Sequence, residues 1–446
     1  MYLRPGIICL IILSAFLHGS AQKQPAPPNI ILFLVDDMGW QDCSVPFHSS
    51  PTSFNSRYRT PAMEKLAREG MKFTNAYATP VCSPSRVSLM TGMNAARHRV
   101  TNWTLYKDKP TDHPDSLLSP PAWNLNGLSP VDGIEKTVYV TPLPALLRDA
   151  GYYTIHCGKG HFGAMETPAA DPRNIGFSIN IAGHASGGLG SYQGQKNYGN
   201  LKKGEHSLPW GVPGLESYHG SGINLTEALT REAIKALEKP VNGKQPFFLY
   251  MSHYAVHIPI EADPRFIQKY LDAGLPQKEA EYASMVEGMD KSLGDLIAFL
   301  DKNNLAENTI ILFMSDNGGF SLPPRAGQAF THNKPLKAGK GSVYEGGIRV
   351  PMLVKWPGVT RPGTAADQYL IIEDFFPTIL EMAGIKNYST IQKQDGISFV
   401  PVLKNAVFFN DQRILTWHFP NKWIAGDGPG INFHSAIRQG EWKLLY

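Results

Sequence analysis

Cys82-Ser83-Pro84-Ser85-Arg86-Val87-Ser88-Leu89-Met90-Thr91-Gly92 is the stretch from which the rest of the chain can be read. Proline favours a first helical position and Ser83 is a candidate cap, which predicts a helix running to about Met90 with Cys82 at its positive end. Arg86 follows one turn later and shares a face with Cys82. Backbone N–H groups and a guanidinium at one spot predict a field that stabilises a thiolate or any bound anion.

Outward from this helix, four apolar, β-branched or aromatic runs each end abruptly in polar residues. Residues 30–35 precede Asp36-Asp37, 152–156 precede Gly158-Lys159-Gly160-His161, 247–251 precede His253 and His257, and 309–314 precede Asp316-Asn317-Gly318-Gly319. Continuous apolar runs predict strands of a sheet covered on both faces, and polar groups at their carboxyl ends mark the crevice where α/β sheets bind ligands. Helices are predicted between them: one opened by Thr60-Pro61 and closed at Gly70, one over 226–239, and one near 374–383. Another has Tyr282, Met285, Val286, Met289, Leu293, Leu296, Ile297 and Leu300 on one core-facing side. Short strand-like runs at 413–417 and 435–445 predict a small C-terminal sheet. Two long segments, 103–135 and 183–222, lack a regular pattern; Trp103, Trp123, Trp210 and several tyrosines predict cleft loops rather than linkers.

A chain of 446 residues with 42% hydrophobic residues has the material for one large α/β domain and a small appendage. Its net charge of +4 is too small for a nucleic-acid footprint. Arg4, the apolar run 7–17 and Gly19-Ser20-Ala21 predict a signal peptide over 1–21, hence a secreted or periplasmic protein; the run is too short to span a bilayer, so no membrane span is expected after processing. An uncleaved anchor is the second reading of that segment. Loss of Cys9 with the signal leaves Cys43, Cys82 and Cys157, an odd number in an oxidising compartment. For an arbitrary cysteine a disulfide or an inert buried thiol is the commoner state; the helix-end position of Cys82 points instead to a reactive or modified group.

Asp36, Asp37, Asp316 and Asn317 offer hard oxygen ligands from two strand ends, with no cysteine or histidine pair at zinc spacing. That donor set suits Ca2+, or less well Mg2+. Taken alone, an Asp-Asp pair is more often a turn or a cap.

Through Cys82, Pro84, Ser85, Arg86, Leu89 and Thr91-Gly92 the opening stretch matches the signature of the type I sulfatases, and the chain resembles that family over 29–446. The resemblance implies an alkaline-phosphatase-like α/β/α sandwich with a large, mostly parallel sheet. It implies a catalytic domain over 29–404 and a small antiparallel-sheet subdomain over 405–446; relatives commonly continue past the position of Tyr446. It further implies that a formylglycine-generating maturation enzyme oxidises Cys82 to formylglycine, whose hydrate attacks the sulfur of a sulfate ester and passes through a sulfated enzyme. Arg86 would hold the formylglycine hydroxyl, Lys159 and Lys340 would contact sulfate, and His161 would assist breakdown of the hemiacetal. His257 would bind sulfate and protonate the leaving oxygen. The calcium ligands would be Asp36, Asp37, Asp316, Asn317 and residue 82 itself. Gly160 departs from relatives that carry a bulkier residue and is expected to loosen its turn.

A lone His257 is more often a structural histidine, and a lone Lys159 or Lys340 a solvated charge; their common order and placement favour the site. His253 is expected only to orient a neighbour, while His184, His219 and Lys337 lie near the cleft by sequence context. The leading expectation is an exported sulfatase acting on a sulfated carbohydrate, since aromatic loops can stack on sugar rings. Two alternatives remain: a formylglycine-dependent phosphonate or phosphodiester hydrolase, and a non-catalytic protein that binds sulfated glycans.

Overall fold

The computed structural model describes residues 26–320, 333–405, 412–424 and 431–446. The signal reading of 1–21 lies outside them. Among the described residues no helix is long and apolar enough to cross a membrane.

The central sheet contains, in chain order, β1 (Asn29–Val35), β2 (Met71–Tyr77), β3 (Tyr153–Gly158), β4 (Ile179–Ile181), β5 (Phe247–Ser252), β6 (Thr309–Ser315), β7 (Arg349–Lys355), β8 (Thr364–Ala366) and β9 (Leu370–Ile371). Their spatial order is β8-β2-β7-β6-β1-β5-β3-β4, with β9 also paired to β2. Every pairing is parallel except those of β7, which runs antiparallel to β2 and β6.

The all-apolar sequence of β1 follows from its central place. Ile31, Phe33 and Val35 enter one core while Ile30, Leu32 and Leu34 enter another, so neither set can be polar. The first core is closed by α1 (Pro61–Glu69), α3 (Leu225–Asn242) and α4 (Gln277–Lys302), the second by α2 (Cys82–Thr91) and α5 (Phe375–Met382). The predicted stripe of α4 from Tyr282 to Leu300 is buried throughout. Thr60 makes no side-chain cap to α1; Asp290 of α4 accepts instead from the Ala62 and Met63 N–H groups at 2.9 and 2.8 Å, a cap supplied across the interface.

The C-terminal sheet is antiparallel and comprises β10 (Ile414–Phe419), β11 (His434–Gln439) and β12 (Trp442–Leu445). The apparent single run 435–445 is thus a hairpin, broken at Gly440 with φ +52°. This sheet docks on the main body through Trp417, whose indole N–H donates to the Ala78 carbonyl at 2.9 Å, and through paired hydrogen bonds from Arg413 to Asp374. Leu415, Trp417 and Phe419 pack with Tyr77, Val81 and Ile348 beneath.

Candidate active site

Because β6, β1, β5 and β3 are adjacent and parallel, their carboxyl ends share one edge of the sheet. Asp316 and Asn317, Asp36 and Asp37, the Ser252–His257 turn, and Lys159 with His161 leave from that edge. Helix α2 starts at the same place, and all ten of its residues are buried. Its cap is extended Val81 rather than Ser83, whose hydroxyl accepts instead from the Thr104 N–H at 3.1 Å. Pro84 is therefore the third helical residue, still in the turn whose N–H groups have no helical partner.

The floor is a buried ionic lattice. Arg86 donates to Asp316 Oδ2 through Nε at 3.1 Å and Nη2 at 2.7 Å, and through Nη1 to the Ser252 hydroxyl and the Lys159 carbonyl. It braces a carboxylate rather than addressing the cysteine directly. Ser85 donates to the Asp316 carbonyl and accepts from the Thr79 N–H at 2.9 Å, so two neighbours in the opening stretch fix one loop. Lys159 forms a short ion pair with Asp36, while Lys340 Nζ is 2.6 Å from Asp37 Oδ1. Burial raises Asp37, but Lys340, His257 and Lys159 outweigh it and hold the carboxyl well below its usual range. Burial, reinforced by Asp316, pushes Asp36 up to about 8 against Lys159.

The residues fit a divalent cation. One oxygen each of Asp36, Asp37 and Asp316 lies within 4.8 Å of the others, and the buried Asp36 Oδ1 and Asn317 Oδ1 accept no hydrogen bond. Orphaned hard oxygens beside clustered carboxylates are what such an ion satisfies. Asn317 meanwhile donates to Asp37 Oδ1 at 2.8 Å, which leaves its carbonyl oxygen as the group available for ligation.

Above the floor, Cys82 Sγ lies 3.4 Å from His161 Nδ1. The other ring nitrogen, Nε2, is 2.9 Å from the Thr104 carbonyl, which can only accept, so Nε2 carries the proton and Nδ1 presents its lone pair to residue 82. Burial, with Lys159 and Arg86, holds His161 well below its ordinary value and keeps the ring neutral. His257 is fixed the same way: Nδ1 donates to the Ile258 carbonyl at 2.7 Å and Nε2 lies 3.8 Å from Asp37. Burial and Lys340 bring it down to about 3, an effect opposed by Asp37 and by any anion entering the site. Contrary to the simple helix-end expectation, burial raises the Cys82 thiol despite Lys159 and Lys340. Its position favours a bound anion but not a free thiolate. Among the described residues Cys43, Cys82 and Cys157 are all unpaired, which excludes a disulfide between them.

Two site residues occupy the left-handed region without being glycine, Asp37 at φ +59° and His161 at φ +61°. Such backbone costs about 1–3 kcal/mol and persists where surroundings impose it. Here the imposing neighbours are the Asp316 carboxylate, which accepts the Asp37 N–H, and the His184 carbonyl, which accepts the His161 N–H.

A cavity of about 250 Å³ opens over Cys82, lined by Asp37, His161, His257 and Lys340 below and by Trp103, Trp210, Trp423 and Phe320 around the wall. Lys159 is fully buried behind Asp36 and is not part of this lining. The two irregular segments do reach the cleft through Trp103, Gly187, Gly188 and Trp210, but Trp123 instead lies under the Arg99 guanidinium and meets His418 edge-on. Gly187 has a specific reason: a methyl group there would lie 2.1 Å from His161 Cε1.

Other expectations are corrected. His253 points into the core, 2.9 Å from the Ser292 hydroxyl and against Phe33. His184 is buried against His206, His219 accepts from the Gly204 N–H, and Lys337 lies over Tyr344; none lines the cavity. Gly160 does not loosen its turn, since a methyl group there would come 2.9 Å from the His184 carbonyl oxygen. Sequence reasoning missed Ser252, Thr104, Gly187, Phe320 and Trp423. Only the glycine-rich composition of 183–222 hinted at close backbone approach.

Residues 28–385 match the Sulfatase family, and residues 339–446 match the N-sulphoglucosamine sulphohydrolase C-terminal family. A sulfatase of Formosa agariphila is 29% identical over 98% of this chain and 84% of that protein. The N-acetylgalactosamine-6-sulfatase of Canis lupus familiaris is 31% identical over 88% of this chain and 69% of its own. The crystal structure of Ps i-CgsB in complex with k-i-k-neocarrahexaose superimposes with a TM-score of 0.71 at 29% identity, covering 94% of this chain and 84% of that one. With the signature stretch, the strand-end lattice and these matches together, the chain belongs to the sulfatase family and is a sulfuric ester hydrolase.

Proposed function

We propose that the protein is exported and cleaves sulfate monoesters of a carbohydrate, with Cys82 converted to formylglycine by a maturation enzyme and a calcium ion held by Asp36, Asp37, Asp316 and Asn317. One observation carries the reading: Cys82, His161 and the paired Lys340 and Asp37 line one cavity, and the orphaned oxygens of Asp36 and Asn317 belong to side chains clustered with Asp37. The printed names of the relatives, an N-acetylgalactosamine-6-sulfatase and an enzyme bound to a neocarrahexaose, support a sugar as the alcohol part. Export rests on the apolar segment and cleavage site in the first 21 residues.

A formylglycine hydrate at residue 82 would supply the nucleophilic hydroxyl, and a cation held by Asp36, Asp37, Asp316 and Asn317 would supply positive charge for the sulfate group. The chain's own groups do the rest. Lys340 presents an ammonium at the cavity wall, and burial strengthens its pull on an anion there. Lys159 and Arg86 act from behind, neutralising Asp36 and Asp316 so that three carboxylates can stand around one small volume. His161 Nδ1 is placed to hold a proton from a hydroxyl on residue 82. His257 Nε2 belongs to the same cavity; an entering sulfate anion raises its proton affinity, and the proton Nε2 then takes up is the one a leaving oxygen would receive. The aromatic wall excludes water and offers apolar faces to a ring.

The test has two parts. A mass spectrum of the peptide containing residue 82 should show an aldehyde in place of the thiol. Matured, calcium-loaded protein should release sulfate from sulfated sugars and from 4-nitrophenyl sulfate; higher efficiency on an aryl phosphodiester, or glycan binding without sulfate release, would overturn the reading.

A further inference from the structure

A second cavity of about 570 Å³ adjoins the first, and the two share Gly188, Trp210, His257 and Ile258. It continues over Gly190, Pro259 and Ile260 and ends at Lys278 on the first turn of α4. Trp210 lines both and is 42% exposed, which leaves part of its ring open to a ligand. Gly188 keeps the junction narrow but open: a methyl group there would press on the Trp210 ring at 3.2 Å and approach His257 Cε1 at 3.7 Å. The side chain of Lys278 is 55% exposed, and its ammonium donates to Glu281 at 2.7 Å and to the Ile260 carbonyl at 3.4 Å. Surface pairs of this kind are weak and exchange readily for a better-placed anion.

Resting on the proposed glycan reading, we propose that the second cavity is a further sugar position, so that the preferred substrate is a sulfated oligosaccharide. Its cleaved sulfate sits over residue 82, its chain crosses the Trp210 face, and the next residue places an anionic substituent, sulfate or carboxylate, at Lys278. A single sulfated sugar fills the first cavity and leaves the second without a ligand. The continuity of the two cavities through the catalytic histidine's neighbours supplies the path, and the lysine supplies the charge that selects an acidic chain over a neutral one.

The experiment compares kcat/KM for the full, matured chain on 4-nitrophenyl sulfate, on N-acetylgalactosamine 6-sulfate and a hexasaccharide containing it, and on sulfated neocarrabiose and neocarrahexaose. The longer member of the cleaved series should exceed the shorter by about 10-fold at low salt, and the advantage should shrink as salt rises. Lys278→Ala and Lys278→Glu should each cut that advantage by about 3- to 10-fold while leaving 4-nitrophenyl sulfate turnover unchanged; Lys278→Arg should retain it. Equal rates on short and long members, or an advantage untouched by Lys278→Glu, would sink the extended site and leave the glycan reading intact. Turnover of the aryl sulfate with none of any sugar would sink both.

Discussion

The floor and the rim of the site are built in different ways. The floor consists of charged side chains delivered by the ends of adjacent parallel strands, by one helix and by the turn at Lys340, each locked by its neighbours: Arg86 on Asp316, Lys159 on Asp36, Lys340 on Asp37. The rim consists of aromatic residues from loops and from beside the C-terminal sheet, Trp103, Trp210, Phe320 and Trp423, which touch the cavity with faces and edges. One is a problem of charge compensation, where removing a partner strands another charge; the other is a problem of shape, where removing a ring loses area alone. The difference explains why chemistry and substrate choice can vary separately on one scaffold.

The comparison is most exposed to failure at residue 82. Cys82→Ala should lower 4-nitrophenyl sulfate hydrolysis by about 10⁴-fold or more with unchanged circular dichroism, as for removal of a nucleophile. Activity within tenfold of the parent would take the floor out of the chemistry. His161→Ala should cost about 10²- to 10⁴-fold in kcat, the range for a proton-transfer group. Chelation of divalent cations should abolish activity and lower Tm, and calcium at 100 times its Kd should restore about 2.7 kcal/mol of stability; a Tm indifferent to calcium would remove the ion from the floor.

At the rim the effects should be smaller and selective for substrate. Trp210→Ala should reduce kcat/KM on a sulfated sugar by about 3- to 10-fold, the worth of one aromatic contact, with a lesser effect on kcat. A loss as large as that for His161 would mean that rim and floor are not separable.

The smallest effect concerns the seam that carries part of the rim. Glu373 is buried beside Asp374, and its Oε1 accepts from Asn94, which also donates to the Thr416 carbonyl of β10. Burial, then Asp374, raises it to about 8. Its folded value lies above its unfolded one, so the folded state holds the proton more tightly and stability falls as pH rises from about 4.5 to 8. Glu373→Gln should remove that decline, giving a Tm advantage of roughly 2–4 °C at pH 8 that vanishes near pH 5 in thermal melts. An advantage independent of pH would assign the effect to packing.

What the sequence made legible follows the same division. Central strands are apolar on both faces, so β1, β3, β5 and β6 announced themselves, and the polar residues after them had to emerge at one edge. The helix after Cys82 carried its own start signal, off by two residues at the cap. The antiparallel β7 was missed, since direction depends on the path of the chain before it and Pro351 interrupts its pattern. His253 misled because it neighbours Ser252 in a strand-end turn: Ser252 faces Arg86 while His253 faces the opposite core. Trp423 was invisible because nothing local marks it. Its role comes from meeting Phe320 and the Lys340 turn across a long separation in the chain.

That meeting has a bearing on how the molecule could be re-engineered. A methyl group at Gly341, whose φ is +83°, would lie 2.1 Å from Trp423 Cε3, so the indole rests directly on the turn that aims Lys340 at Asp37. Exchanging the C-terminal sheet for that of another sulfatase to borrow its taste in sugars would also shift the seat of an ammonium in the floor. Grafts cut between 341 and 423 would separate two halves of one joint, whereas a transplant spanning 339–446 carries the joint whole.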